Sequence, residues 1–411
     1  MSDWLENLPS TWQRRPAWTV FAERGEKAKP ADEHLTPSQQ YGVLPQREYM
    51  EITGNRVVLN LAGADNMKAV RPGDFIIHLR SFQGGIELSE ISGKVSTAYT
   101  VLTPSASPLN HGYYRHLLKS GIFIEQLVNL TGQLRDGQSI NYARFSRLIL
   151  PFPPLTDQCR IADFLDRETA EIDAMDVELD RLIEALRERR RAVLRTAVLG
   201  GELAADASDW LSNLPADWGR VPAWAIFRER GEKSGPDDQH LTPSQTYGVL
   251  PQSEYMEITG NRVVLNLTGA DNMKAVRPGD FIIHLRSFQG GIELSRVSGK
   301  VSNAYTVLVP AVEIENGYFR YLLKTDFFIE QLVNLTDQLR DGQSINYVRF
   351  SRLRLPLPPM GEQHRIAAEL DQHTARIDDM IADANRLKAL LAERRSTLIN
   401  EFVTGAMEVS A

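Results

Sequence analysis

The side chains best placed to do chemistry in this chain come in pairs. Leu79-Arg80-Ser81-Phe82-Gln83-Gly84-Gly85 recurs at residues 285–291, so Arg80, Ser81, Phe82 and Gln83 have the counterparts Arg286, Ser287, Phe288 and Gln289. An arginine fork fits O6 and N7 of guanine, and a glutamine amide fits N6 and N7 of adenine. A phenyl ring packs on a base or sugar. The plainer alternative is a hairpin turn with a surface arginine. A second segment, 133–141, carries Arg135, Gln138 and Ser139, and recurs with Arg340, Gln343 and Ser344. Its amides and hydroxyl suit phosphates or base edges, and a structural loop is an equal reading. The third candidates are Lys94 and Lys300, each beside a predicted strand, as phosphate contacts or plain solvated lysines.

Signatures of catalysis are missing. There is no G-x-x-x-x-G-K-[ST] phosphate loop, no G-x-G-x-x-G turn, no G-x-S-x-G elbow, no H-E-x-x-H pair and no paired C-x-x-C. Pro151-Phe152-Pro153-Pro154 lacks the amide of the Asn-Pro-Pro-aromatic motif of amino-methyltransferases and reads as a helix stop. His78 and His284 fall in apolar runs, as core histidines do. The single cysteine, Cys159, makes neither an internal disulfide nor a cysteine-based zinc site. The start lacks the apolar core of a signal peptide, and no apolar run reaches the roughly 18 residues of a spanning helix. These features predict a cytoplasmic binding protein that itself holds no metal or cofactor.

The elements that must position these residues are themselves duplicated. Residues 41–104 and 247–310 differ at six of 64 positions, at an offset of 206. This is a domain-sized repeat, far longer than solenoid units. In each copy the runs 57–61, 75–79 and 95–102 read as strands, cut by Thr53-Gly54-Asn55, Arg71-Pro72-Gly73 and Gln83-Gly84-Gly85. A helix is predicted over about 113–130.

After the prolines comes a segment from Leu155 to Leu199 without Gly or Pro. Leu165, Ile172, Leu179, Leu186 and Val193 recur every seven residues, with Ile161, Met175 and Leu182 as an interrupted second row. The second copy follows Pro356-Leu357-Pro358-Pro359 with Leu370, Ile377, Ala384, Leu391 and Leu398, flanked by Ile366, Met380 and Leu387. Two heptad seams in one chain predict helices that pair with each other. The order lobe–helix–lobe–helix favours an antiparallel pair with a lobe at each end, related by a pseudo-two-fold axis. The predicted fold class is α+β: two similar mixed α/β lobes separated by two long helices forming an antiparallel coiled coil. The boundaries are 1–154 and 201–359 for the lobes, 155–200 and 360–405 for the helices, and 406–411 for the tail.

The formal charge of -7 is unevenly spread. Residues 157–199 hold 11 acidic against 8 basic side chains, whereas residues 41–150 hold 11 basic against 8 acidic. The lobes are therefore mildly basic to neutral, and a nucleic-acid face is compatible with an acidic chain.

The run from Gly137 to Met175, its second copy, the P-x-P-P stop, the Gln-x-Arg-Ile-Ala helix start (Gln158, Gln363) and the Thr-Ala-x-Ile-Asp step resemble specificity subunits of Type I restriction–modification systems. The resemblance covers nearly the whole chain. Asp157 stands where the family usually has Glu. The resemblance implies a non-catalytic, DNA-binding subunit with two target-recognition domains, each reading half of a bipartite site. It implies that the helices set the spacing and dock two modification subunits, which bind S-adenosylmethionine. Restriction subunits using ATP and Mg would join them. The exposed heptad faces around Arg167, Glu171, Glu178 and Arg181, and around Arg376, Asp379 and Arg386, are candidate docking positions. Because the lobes are nearly identical, the predicted site is an inverted repeat around a nonspecific spacer. The rival reading is a coiled-coil interaction adaptor without a DNA role.

Overall fold

Short apolar runs cut by Gly, Pro and Asn cannot make long strands, and the sheets of this protein are correspondingly small. The computed structural model describes residues 4–6, 8–56, 66–131, 140–201, 209–262, 273–284, 287–336 and 345–409, without the side chains at 82, 131, 288 and 336. It divides into two units, Met1–Leu179 with Asn385–Ala411, and Asp180–Ala384.

In the first unit, β1 (Gln13–Pro16), β2 (Phe21–Glu23), β3 (Leu35–Ser38) and β4 (Gly42–Pro45) lead into α1 (Gln46–Thr53). Next come β5 (Lys68–Val70), β6 (Phe75–Ile77), α2 (Ser81–Gly84), β7 (Glu87–Leu88), β8 (Gly93–Val95) and β9 (Thr100–Pro104). Then follow α3 (His111–Leu117), α4 (Gly121–Thr131), α5 (Tyr142–Phe145), β10 (Ile149–Phe152) and α6 (Leu155–Leu199). One antiparallel sheet has the order β2-β9-β6-β7, and β1-β10, β3-β4 and β5-β8 form antiparallel pairs. Phe21 anchors the core, edge-on to Phe75 and to Tyr114 at 5.3 Å each.

The second unit repeats this order. It contains β11 (Gly219–Pro222), β12 (Phe227–Glu229), β13 (Leu241–Ser244), β14 (Gly248–Pro251), α7 (Gln252–Thr259), β15 (Lys274–Val276), β16 (Phe281–Ile283) and α8 (Ser287–Gly290). It continues with β17 (Glu293–Leu294), β18 (Gly299–Val301), β19 (Thr306–Pro310), α9 (Asn316–Leu322), α10 (Asp326–Thr336), α11 (Tyr347–Phe350), β20 (Arg354–Leu357) and α12 (Met360–Val403). Phe227 takes the place of Phe21, 5.3 Å from Phe281 and 5.4 Å from Phe319.

Several expectations need correction. The helix predicted over 113–130 is two, because Ser120 starts a new one: its Oγ accepts from Phe123 N at 3.3 Å. The alternating run 95–102 is not one strand but the end of β8, a turn and the start of β9. The run 57–61 lies outside the described residues. Pro151 and Phe152 do not stop all regular structure, since both lie in β10, paired with β1. An edge strand tolerates the missing N–H.

The motif residues at the start of the long helices have mechanical roles. Gln158 is fully buried. Its Oε1 accepts from Asn110 N and its Nε2 donates to Pro153 O, both at 2.9 Å. Gln363 makes the same two bonds, with Glu315 N and Pro358 O, both at 2.9 Å. A buried amide satisfied at both ends ties each helix start to α3 or α9. Tyr113 and Tyr318 donate to Val403 O and Val198 O, tying down the other helix's last turn in the same unit.

Each unit contains one stretch of each long helix, and the two stretches run antiparallel. In the first, Asp173 meets Arg395 at 3.3 Å and Asp176 meets Lys388 at 3.4 Å. In the second, Arg190 meets Asp378 at 3.1 Å. The predicted rows of Leu165, Ile172, Leu179, Leu186 and Val193, and of Leu370, Ile377, Leu391 and Leu398, are buried or half-buried. The second row is displaced. Met175, Leu182, Met380 and Leu387 are exposed. The inward row is Thr169, Asp176, Ile183, Arg190 and Ala197 in α6, with Thr374, Ile381, Lys388, Arg395 and Phe402 in α12. The charged members are tolerated there because they cross to a partner on the other helix.

Candidate nucleic-acid interface

The segment 79–85 is a short helix rather than a hairpin turn. Ser81 is not a free hydroxyl: it is fully buried, and its Oγ accepts from His78 N at 2.9 Å. Ser287 repeats this with His284 N at 2.9 Å. The two glycines let α2 be clamped. A Cβ on Gly84 would lie 2.4 Å from the Gln39 side chain, and one on Gly85, at φ +89°, would lie 2.4 Å from Leu118 O. Gln39 Nε2 donates to Arg80 O at 3.0 Å. Pinned in this way, α2 leaves Arg80 and Gln83 exposed, and α8 leaves Gln289 exposed. Arg286 and the Phe82 and Phe288 side chains lie outside the described residues.

Under this turn lies a polar cluster that sequence reasoning missed. Lys119 Nζ donates to Gln39 O at 3.1 Å and to Glu87 Oε2 at 2.8 Å. Lys324 repeats it with Gln245 O at 3.3 Å and Glu293 at 2.7 Å. Burial pushes the Glu87 carboxyl up and the Glu293 carboxyl up to about 6, against the pull of the lysines. Burial, with Lys119 and Arg80 nearby, pushes the His78 imidazole down to about 4. The predicted core role of His78 fits this neutral, buried ring. Lysine and glutamate separated by 32 residues leave no local pattern, although Gln39, Glu87 and Lys119 all recur, as Gln245, Glu293 and Lys324.

Of the second segment, Arg135, Gln138, Ser139, Arg340, Gln343 and Ser344 lie outside the described residues. Its end is described. Asn141 caps α5, its Oδ1 accepting from Arg144 N at 3.1 Å. Ile140 O accepts from Thr100 Oγ1 at 3.4 Å. Thr100 pairs with Ile77, one residue before His78. The described end of the second segment, Ile140, therefore lies at the same end of the four-stranded sheet as Ile77, two residues before the first segment. The third candidates need correction. Lys94 and Lys300 are buried on β8 and β18, and each Nζ donates to a carbonyl, of Pro30 or Pro236, at 2.7 Å. Neither ammonium is a free phosphate contact.

The candidate docking positions Arg167, Glu171, Glu178, Arg181, Arg376, Asp379 and Arg386 are all exposed. Among the described residues there is no metal-binding cluster of His, Cys, Asp and Glu, and no helix long and apolar enough to cross a membrane.

Residues 234–388 match the family described as the Type I restriction modification DNA specificity domain. Over that segment the chain is similar to the specificity domain of Type I systems. The chain is 21% identical over 317 residues to a putative type I restriction enzyme MjaX specificity subunit from Methanocaldococcus jannaschii, covering 75% of this chain and 71% of that one. Its fold matches the HsdS subunit of Thermoanaerobacter tengcongensis with a TM-score of 0.56 and 17% identity, over 99% and 100% of the two chains. A second match is a chain from a study of complex assembly and conformational transition of the type I R-M system, with a TM-score of 0.66, 16% identity and coverage of 98% and 100%.

Proposed function

We propose that this protein is the non-catalytic DNA-reading subunit of a Type I restriction–modification complex. Residues 1–154 and 201–359 serve as target-recognition domains, 155–200 and 360–405 as the spacing and docking helices, and 406–411 as a tail. Each recognition domain reads one half of a bipartite duplex site. Two modification subunits bringing S-adenosylmethionine dock on the helices, and restriction subunits bringing ATP and Mg complete the complex. The observation that carries this reading is the clamped turn. A guanidinium and an amide stand exposed on a rigid, glycine-backed helix turn in the first unit, and the sequence of that turn is repeated without change in the second. Rigid presentation matters because base readout depends on bidentate geometry. The specificity-domain match supports this reading over a coiled-coil adaptor.

The near-identity of the two readers, with antiparallel helix pairing inside each unit, supports half-sites that form an inverted repeat. A mobility-shift titration of the full chain assembled with its modification subunits tests the DNA role. Retarded duplex competed only by the methylated motif is expected. Absence of any duplex binding by the assembled complex would contradict it.

A further inference from the structure

The second unit has a cleft of about 600 Å³ where the recognition domain meets α6 and α12. Its charged lining is four cations, Arg190, Arg296, Arg320 and Lys324, against three carboxylates, Glu293, Asp371 and Asp378. Three of the cations are matched: Lys324 with Glu293, Arg320 with Asp371, and Arg190 with Asp378. Arg296 stands exposed on the rim, in the same cleft as the Arg320 guanidinium. In the first unit the position of Arg296 is held by Glu90, one of the six differences in the 64-residue repeat. There Glu90 lies 4.0 Å from Arg115, which also bonds Asp166 at 2.5 Å. One side therefore has an arginine between two carboxylates. The other has two arginines and one carboxylate between them.

We propose that the cleft around Arg296 and Arg320 binds a backbone phosphate of the DNA, and that the corresponding place in the first unit, where Glu90 stands instead of the arginine, does not. Arg296 and Arg320 line one opening, and with Asp371 matching one of the two charges a net positive guanidinium pair suits the charge and fork geometry of a phosphodiester. The cleft adjoins the reading turn, because Lys324 both lines it and donates to Gln245 O, and Gln245 packs on Gly290 of α8. A phosphate contact positions without specifying sequence. The two half-sites then share one base sequence but differ in strength and salt dependence. This inference builds on the DNA-reading function above.

The test compares wild type, Arg296→Glu and Glu90→Arg, each assembled with the modification subunits, on a duplex carrying the full site across a salt series. Each phosphate contact contributes about 0.9 to the slope of log K against log salt. Arg296→Glu is expected to lower that slope by about one and to weaken binding about tenfold at 0.1 M salt, while Glu90→Arg raises both by similar amounts. The methylated sequence stays unchanged in both. Unaltered slopes with normal wild-type binding would overturn this inference alone. So would an Arg296→Glu effect confined to retention of the modification subunits, which points to an acidic protein partner. A wild-type complex that ignores DNA would fail the DNA-reading function itself. Unchanged thermal unfolding of Arg296→Glu, an exposed site, shows that any loss is not misfolding.

Discussion

Under the proposed DNA-reading function, Arg80 is the single residue to test first, since it is exposed yet held at its carbonyl by Gln39. Replacing Arg80 and Arg286 together with Ala should weaken binding to the specific duplex, each lost bidentate pair removing about 1–3 kcal/mol of discrimination. The fold should be intact, because Arg80 is exposed and its bond with Gln39 is made through its backbone carbonyl. Equilibrium binding with circular dichroism as the control checks this; unchanged affinity contradicts the role of the turn. His78 makes a pH prediction. Its folded pKa of about 4 lies below the unfolded value near 6.5. Its contribution to stability is therefore present above pH about 6.5 and lost as pH falls from there toward 4. The melting temperature of His78→Gln should fall less steeply across that window than that of wild type; parallel curves would sink this. The exposed placement of Arg80 and Gln83 was legible in the sequence because they follow a strand and precede two glycines. The burial of Lys94 was not legible, since all three residues of β8 are covered and only the fold brings Pro30 to its ammonium.

At the scale of elements, the long helices test which row faces inward. Ile183 is 5% exposed and Met175 is 52% exposed. Ile183→Ala should cost about 2–4 kcal/mol, as other buried large-to-small changes do. Met175→Ser should stay within about 0.5 kcal/mol, as surface changes do. Urea unfolding of the two variants decides it, and equal losses would restore the row containing Met175. The heptad period and the helix ends were plain in the sequence, with Gly200 and Gly405 closing each helix at φ near +70°. The choice of second row was not. Hydropathy favours Met175 and Leu182, whereas the actual row holds Asp176, Arg190, Lys388 and Arg395, which cross to partners on the other helix. The Gln158 and Gln363 amides were visible only as a motif. Their bonds to Asn110 N and Glu315 N span 48 residues and have no local signature.

For the molecule as a whole, duplication is the governing fact. Fifty-eight of 64 residues of the repeat are shared between the copies, including the whole turn from Leu79 to Gly85. The Glu90 and Arg296 difference falls at the cleft lined by the long helices and not within the turn that carries Arg80 and Gln83, which both copies share. Both readers should therefore prefer the same bases. The α+β class, the duplication and the order of domain and helix were all legible from sequence, because repetition and periodicity survive without coordinates. The most direct test is the methylated motif in the host genome, read by sequencing that detects modified adenine. Two copies of one half-site in inverted orientation, separated by a fixed spacer of arbitrary sequence, are expected. Two unrelated half-sites, or one half-site repeated in the same direction, would contradict paired identical readers.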